Sequence, residues 1–304
     1  MTGTPFPRRL ALAATLALIL GACADSNSPS GSTGNILTSA QANDISADVA
    51  ADVDELAELS TYDVSNGVPL SAPAPAAILG APPAACVTVA PTPPTNSDGD
   101  AIPDSVRFTY DACVFTRGAG TVTDSLGGTI DFLDPLPNAT SLGVRHVFTN
   151  FTRARINTAF PLRSFMAVHN GTREWGGNAD TLGHTITGFT SVWTHPSGRT
   201  TTHTKDWVAT FTATTPGSIS LITPLPAGSF VLGGTGAWAT ANRSWSVTTS
   251  TVTPLAYDPT CTVAPRFTAG ELDLVVTRGG ETTFVNILFT QCGQYLVTRT
   301  TGAV

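Results

Sequence analysis

The chain has 304 residues, of which 12% are charged and 41% hydrophobic, with 15 basic and 22 acidic side chains giving a formal net charge of −7. That balance excludes nucleic acid as a partner, which would need a concentrated basic face, and Lys205 is the only lysine. With 28 glycines, 22 prolines and abundant threonine, the composition predicts an all-β protein whose solvent faces carry hydroxyls rather than charges.

In chain order, Arg8 and Arg9 precede an uncharged apolar run, residues 10–20, and Gly21 and Ala22 lead into Cys23. A basic flank, an apolar core of about 7–15 residues and a small-residue exit are the parts of a secretory signal peptide. The run falls short of the about 20 residues that a bilayer span requires. Leu20-Gly21-Ala22-Cys23 resembles the lipobox of bacterial lipoproteins. The resemblance implies removal of a signal peptide at 1–22, acylation of Cys23 on sulfur and nitrogen, and a membrane anchor in the cell envelope. Several acyl chains on one residue hold a protein stably where a single chain binds marginally. Nothing after Arg8-Arg9 supports twin-arginine export. Ala24 stands where aspartate would favour inner-membrane retention, so the outer membrane is the expected location. Losing the two leader arginines leaves 13 basic against 22 acidic residues, a net charge of −9.

Five cysteines would leave one thiol unpaired in an exported protein. With Cys23 lipidated, Cys86, Cys113, Cys261 and Cys292 remain, and three pairings are open to them. Proximity favours Cys86–Cys113 and Cys261–Cys292, each closing a loop for which chain entropy implies about 3–4 kcal/mol; buried free thiols are the alternative. No Cys/His spacing suggests zinc.

Residues 23–40 are rich in Ser, Asn and Gly and read as a flexible tether. Over 41–60, Ala42, Ile45, Val49, Val53, Leu56 and Leu59 recur at helical spacing, with Thr38 or Ser39 placed to cap the start. Asp44, Asp48, Asp52, Asp54, Glu55 and Glu58 occupy the remaining faces. This predicts an amphipathic helix with a solvated acidic face. Residues 61–95 hold a Pro/Ala-rich stretch that cannot form a regular helix and read as a stiffer spacer. From 96 to 304 a β domain is expected, with ten candidate strands at 106–115, 128–133, 144–156, 164–174, 185–194, 199–212, 230–239, 243–253, 271–277 and 282–290. "HPSG" and Gly279-Gly280 read as hairpin turns. In "ITGFTSVWT" the apolar phase changes, which suggests two partly covered faces. The expected fold is a single large antiparallel sandwich or barrel-like domain; no fixed-period repeat favours a propeller.

Between spacer and first strand lies "NSDGDAIPD", where Asn96, Asp98, Asp100 and Asp104 fall at ligand spacing. The segment resembles the acidic calcium loops of thrombospondin type-3 repeats, with Ala101 in place of a glycine and Asn96 in place of an aspartate. The resemblance implies a structural Ca²⁺, which takes about six to eight oxygen ligands. A polar turn in which aspartates bind nearby backbone amides is the competing reading.

No nucleophile elbow, zincin helix, phosphate loop or dinucleotide fingerprint occurs. Glu174, Glu271 and Glu281 are the only glutamates in the β region, and nothing singles out a glycosidase pair. His146, His169, His184, His195 and His203 read as surface or core histidines. The five tryptophans read as core, the alternative being a platform for sugars. Residues 257–294 look similar to the closing segment of uncharacterised bacterial surface lipoproteins, a resemblance that implies no activity. The expected function is a non-catalytic binding or structural module of the envelope, with a glycan or an envelope protein as its partner. The alternatives are an envelope hydrolase with a carboxylate site and a carrier of an apolar ligand.

Overall fold

The computed structural model describes residues 36–59, 62–63, 68–69, 86–91, 94–100, 102–117, 122–139, 142–159, 161, 164–220 and 223–302. The predicted signal peptide, Cys23 and most of the Pro/Ala spacer lie outside the described residues. Helix α1 spans Ser39–Leu59. Its start is a reciprocal capping box: Gln41 N–H donates to Thr38 Oγ1 (3.2 Å), and Thr38 N–H donates to Gln41 Oε1 (3.0 Å). Leu37, just before the cap, is buried and donates its N–H to Thr283 Oγ1 (3.3 Å).

After two short paired strands, β1 (Tyr62–Asp63) and β2 (Val68–Pro69), a single sheet follows. Its strands are β3 (Val87–Ala90), β4 (Ser105–Arg117), β5 (Val122–Leu133), β6 (Val144–Asn157), β7 (Phe165–Gly177) and β8 (Thr181–Thr194). It continues through β9 (Thr200–Ala213), β10 (Gly228–Thr240), β11 (Arg243–Tyr257), β12 (Phe267–Arg278), β13 (Glu281–Gln291) and β14 (Gln294–Gly302). Each strand pairs antiparallel with its sequence neighbour, in the order β14 to β3. The architecture is therefore all-β and barrel-like but not closed, since β3 and β14 remain edges. All ten predicted strands are present. β3, inside the predicted spacer, and β14, after the Cys292-Gly293 turn, are the additions to this sheet, and the β1–β2 pair also falls in the predicted spacer.

One face of the sheet is buried, largely by apolar side chains but with polar ones among them, and the other is dressed with hydroxyls. On β9, Thr201, His203, Lys205, Trp207, Ala209 and Phe211 point inward, while Thr200, Asp206, Val208, Thr210 and Thr212 are exposed. The sheet bends by a repeated device. β4, β6 and β8 each carry one extra residue in the left-handed conformation, namely Ala112, Asn150 and Gly188. Each of these lies beside a glycine of β5 or β7. A Cβ at Gly128 would stand 2.1 Å from Asn150 O, and one at Gly171 would stand 2.7 Å from Phe189 Cα. A row of bulges across neighbouring strands adds local bend and twist, which curls the sheet around α1. The bulge at Gly188 also accounts for the phase change in "ITGFTSVWT". Leu182, His184 and Ile186 face inward before it, and Phe189, Ser191 and Trp193 face inward after it. One face is thus continuously buried, rather than two faces partly so.

Helix α1 fills the concave side. Ala42, Ile45, Val49, Val53, Leu56 and Ala57 join the same core as Phe108, Phe148, Trp207, Phe230 and Leu274. Ile45→Ala should lower unfolding free energy by about 2–5 kcal/mol, whereas the exposed Asn43→Ala should change it by less than about 0.5 kcal/mol. Urea titration followed by tryptophan fluorescence measures both.

Candidate functional site

Four of the acidic residues that the sequence places on a solvated face of α1 are instead buried. Asp48, Asp52, Asp54 and Glu55 are each 4% exposed or less. They are buried because the sheet supplies partners on every side. Asp44 Oδ1 lies 3.4 Å from Arg199 Nη2. One turn on, Asp48 Oδ2 accepts from Thr201 Oγ1 (2.7 Å) and Trp238 Nε1 (2.8 Å), and its Oδ1 lies 3.1 Å from His195 Nε2. Asp52 pairs with both His203 Nδ1 and Lys205 Nζ. Glu55 lies 3.4 Å from His169 Nε2, 3.6 Å from Arg153 Nη1 and 3.9 Å from Arg173 Nη2. On the opposite side of the helix Asp54 accepts from Arg266 N (2.8 Å) and Nε (3.0 Å).

Electrostatics follow from these pairings. Burial alone would raise the Asp52 carboxyl, but Lys205 and His203 outweigh it and hold the group far below the usual carboxylate range. Glu55 is likewise lowered, burial being overcome by His169, Arg153 and Arg173. Lys205 is pushed down, chiefly by burial. Its ammonium also faces the rings of Phe189 and Trp207 at 5.2 and 5.6 Å, and the Arg173 guanidinium stands 4.0 Å over Phe189.

A serine sits within this array. Ser191 Oγ lies 3.0 Å from His169 Nδ1 and accepts from Lys205 Nζ at 3.0 Å. Hydroxyl, imidazole and carboxylate are the parts of a nucleophilic centre, yet Ser191, His169 and Lys205 have no solvent exposure. No substrate reaches Ser191 in this arrangement, and the lysine and carboxylates balance each other. The array fixes the helix. None of its members was assigned a role from sequence; the signal available was polar residues at inward positions of β9, where hydrophobic ones were expected.

The acidic loop is divided. Asn96 Oδ1 accepts from Gly99 N–H (2.8 Å), and Asp104 accepts from Ser97 N–H (2.8 Å) and Oγ (2.6 Å). These two residues brace the loop. Asp98 Oδ1 and Asp100 Oδ1 likewise accept from Asp100 N–H (3.1 Å) and Ile102 N–H (2.6 Å), and these two carboxylates also converge with Asp134, which immediately follows β5. The pairing Ser105↔Leu133 brings Asp104 and Asp134 to the same end of the β4–β5 ladder, so the loop meets a residue far along the chain. Burial, then the charges of Asp100, Asp98 and Asp104, push the Asp134 carboxyl up.

Cys86–Cys113 and Cys261–Cys292 are disulfides, with Cα separations of 5.3 and 5.5 Å. They place the domain in an oxidising, non-cytoplasmic compartment. Among the described residues no helix is long and apolar enough to cross a membrane. Trp175, Trp193, Trp207, Trp238 and Trp245 are all buried, so none offers a stacking platform. His184, stacked on Trp175 at 3.7 Å, is held well below 6.5 by burial and the nearby Arg173 and His146.

Two outcomes are expected. Asp52→Ala leaves Lys205 uncompensated and should cost about 3–5 kcal/mol, read by urea unfolding. His184 is neutral in the fold but protonates when unfolded, so stability should fall as pH drops below about 6.5, and further below about 4 as the lowered Asp52 and Glu55 lose their advantage. His184→Phe keeps the stack on Trp175 and should flatten the first decline in thermal midpoints measured down to about pH 5. Comparisons of the chain with protein-family models, curated proteins and solved structures found no match.

Proposed function

We propose that this chain is a non-catalytic module of the cell envelope, held on the membrane through lipidated Cys23 with its β domain as the working body. The observation that carries the reading is the filling of the concave sheet by the chain's own helix. A hydrolase would need two carboxylates converging in an open cleft, whereas Asp52 and Glu55 are enclosed and neutralised by Lys205, His203 and Arg153. A carrier of an apolar ligand would need the interior space that Ile45, Val49, Val53 and Leu56 take up. What the domain offers to an envelope partner is its outer, threonine-rich face and its two edges.

The disulfides agree with export, and Leu20-Gly21-Ala22-Cys23 supplies the anchor. Ala24 favours the outer membrane as its destination. Cys23→Ser should move the protein from the membrane pellet to the soluble fraction on ultracentrifugation; undiminished membrane partition would refute the anchor. A serine-directed fluorophosphonate should leave the native protein unlabelled, and labelling of Ser191 would refute the non-catalytic reading.

A further inference from the structure

Asp98, Asp100 and Asp134 each present one carboxylate oxygen, and the three oxygens lie within 4.8 Å of one another. Like charges gathered at this range are unfavourable unless a cation stands among them. Asp134 adds an independent observation. It is only 6% exposed; its Oδ1 accepts from Leu136 N–H (2.7 Å), while its Oδ2 is buried with no hydrogen-bond partner. Asp98 Oδ2 is in the same condition. A buried acceptor left without a donor is unfavourable, and two in one cluster point to a ligand that accepts oxygen lone pairs.

We propose that Asp98, Asp100 and Asp134 bind a hard divalent cation of the calcium class. Calcium holds oxygens at about 2.3–2.6 Å, so ligands on opposite sides of one ion stand up to roughly 5 Å apart, the spread observed here. The ligands come from two segments, the 94–104 loop and the residue after β5, so the ion ties one to the other. Asn96 and Asp104 hold the loop in shape from behind, and their oxygens are committed to Gly99 and Ser97.

The test uses the full chain in detergent, stripped with chelator and titrated with calcium chloride or magnesium chloride. Calorimetry should find one calcium per chain. At a hundredfold excess over the dissociation constant, the folding equilibrium should shift about a hundredfold, read as a rise in thermal midpoint. Asp134→Asn keeps the acceptor for Leu136 N–H, so it should abolish the calcium response while its metal-free midpoint stays at or above that of the parent. Should that variant fail to fold, Asp98→Asn carries the same expectation. Glu281→Gln, remote from the cluster, should respond to calcium as the parent does. No response to calcium, a stronger response to magnesium, or a response that survives both aspartate substitutions would overturn the proposal.

Discussion

A charged ladder between α1 and the inner face of β9 is the constraint on which the rest of the structure depends. Asp44, Asp48 and Asp52 advance along the helix by four residues, about 6 Å per step. Arg199, Thr201, His203 and Lys205 advance along the strand by two, about 6.6 Å per step. The near match lets Asp44 meet Arg199, Asp48 meet Thr201, and Asp52 meet His203 and Lys205, with helix and strand running in the same direction. Pairs of this kind contribute little net stability, because desolvation offsets most of the attraction. Their effect is on register: sliding the helix by one turn would strand buried charges without partners. The apolar stripe of Ile45, Val49 and Val53 could pack against a greasy sheet in several positions. The ladder admits one.

The sheet, in turn, is shaped to receive the helix. Left-handed residues on β4, β6 and β8, set beside glycines on β5 and β7, bend the strands where the inward side chains must wrap a cylinder rather than a plane. Within that curve Arg153, His169, Arg173 and Arg266 reach the helix from β6, β7 and the approach to β12. Helix and sheet therefore form one core. The chemistry that looks catalytic when read atom by atom, with Ser191 beside His169 and Lys205, is spent on holding the helix.

The two disulfides act at the margins of this core. Cys86–Cys113 joins the short edge strand β3 to β4 and encloses the acidic loop in its ring, while Cys261–Cys292 joins the segment before β12 to the turn after β13. An edge of four residues, β3, is otherwise weakly held, and a covalent link restricts its fraying. Loop and Asp134 thus meet at one end of the β4–β5 ladder, while the bridge clamps β3 to β4 further along, where Cys113 pairs with Leu126.

By itself the sequence determined the elements and their order. Alternation and Gly-Gly and "HPSG" turns marked ten strands, helical spacing marked α1, and cysteine proximity marked both bridges. These are local patterns, set by the periods of two and 3.6 residues and by short chain separations. It did not reveal β14, whose hydrophobics are few and half-exposed, nor β3, whose four residues follow a proline-rich run. The tertiary structure alone decided where the polar residues go. Asp48, Asp52 and Glu55 look like a solvated face until the sheet closes over them, because a carboxylate becomes tolerable inside only when a distant strand delivers its counter-charge. Asp134 joins Asp98 and Asp100 for the same kind of reason: strand register, which no local spacing encodes, brings it to the loop.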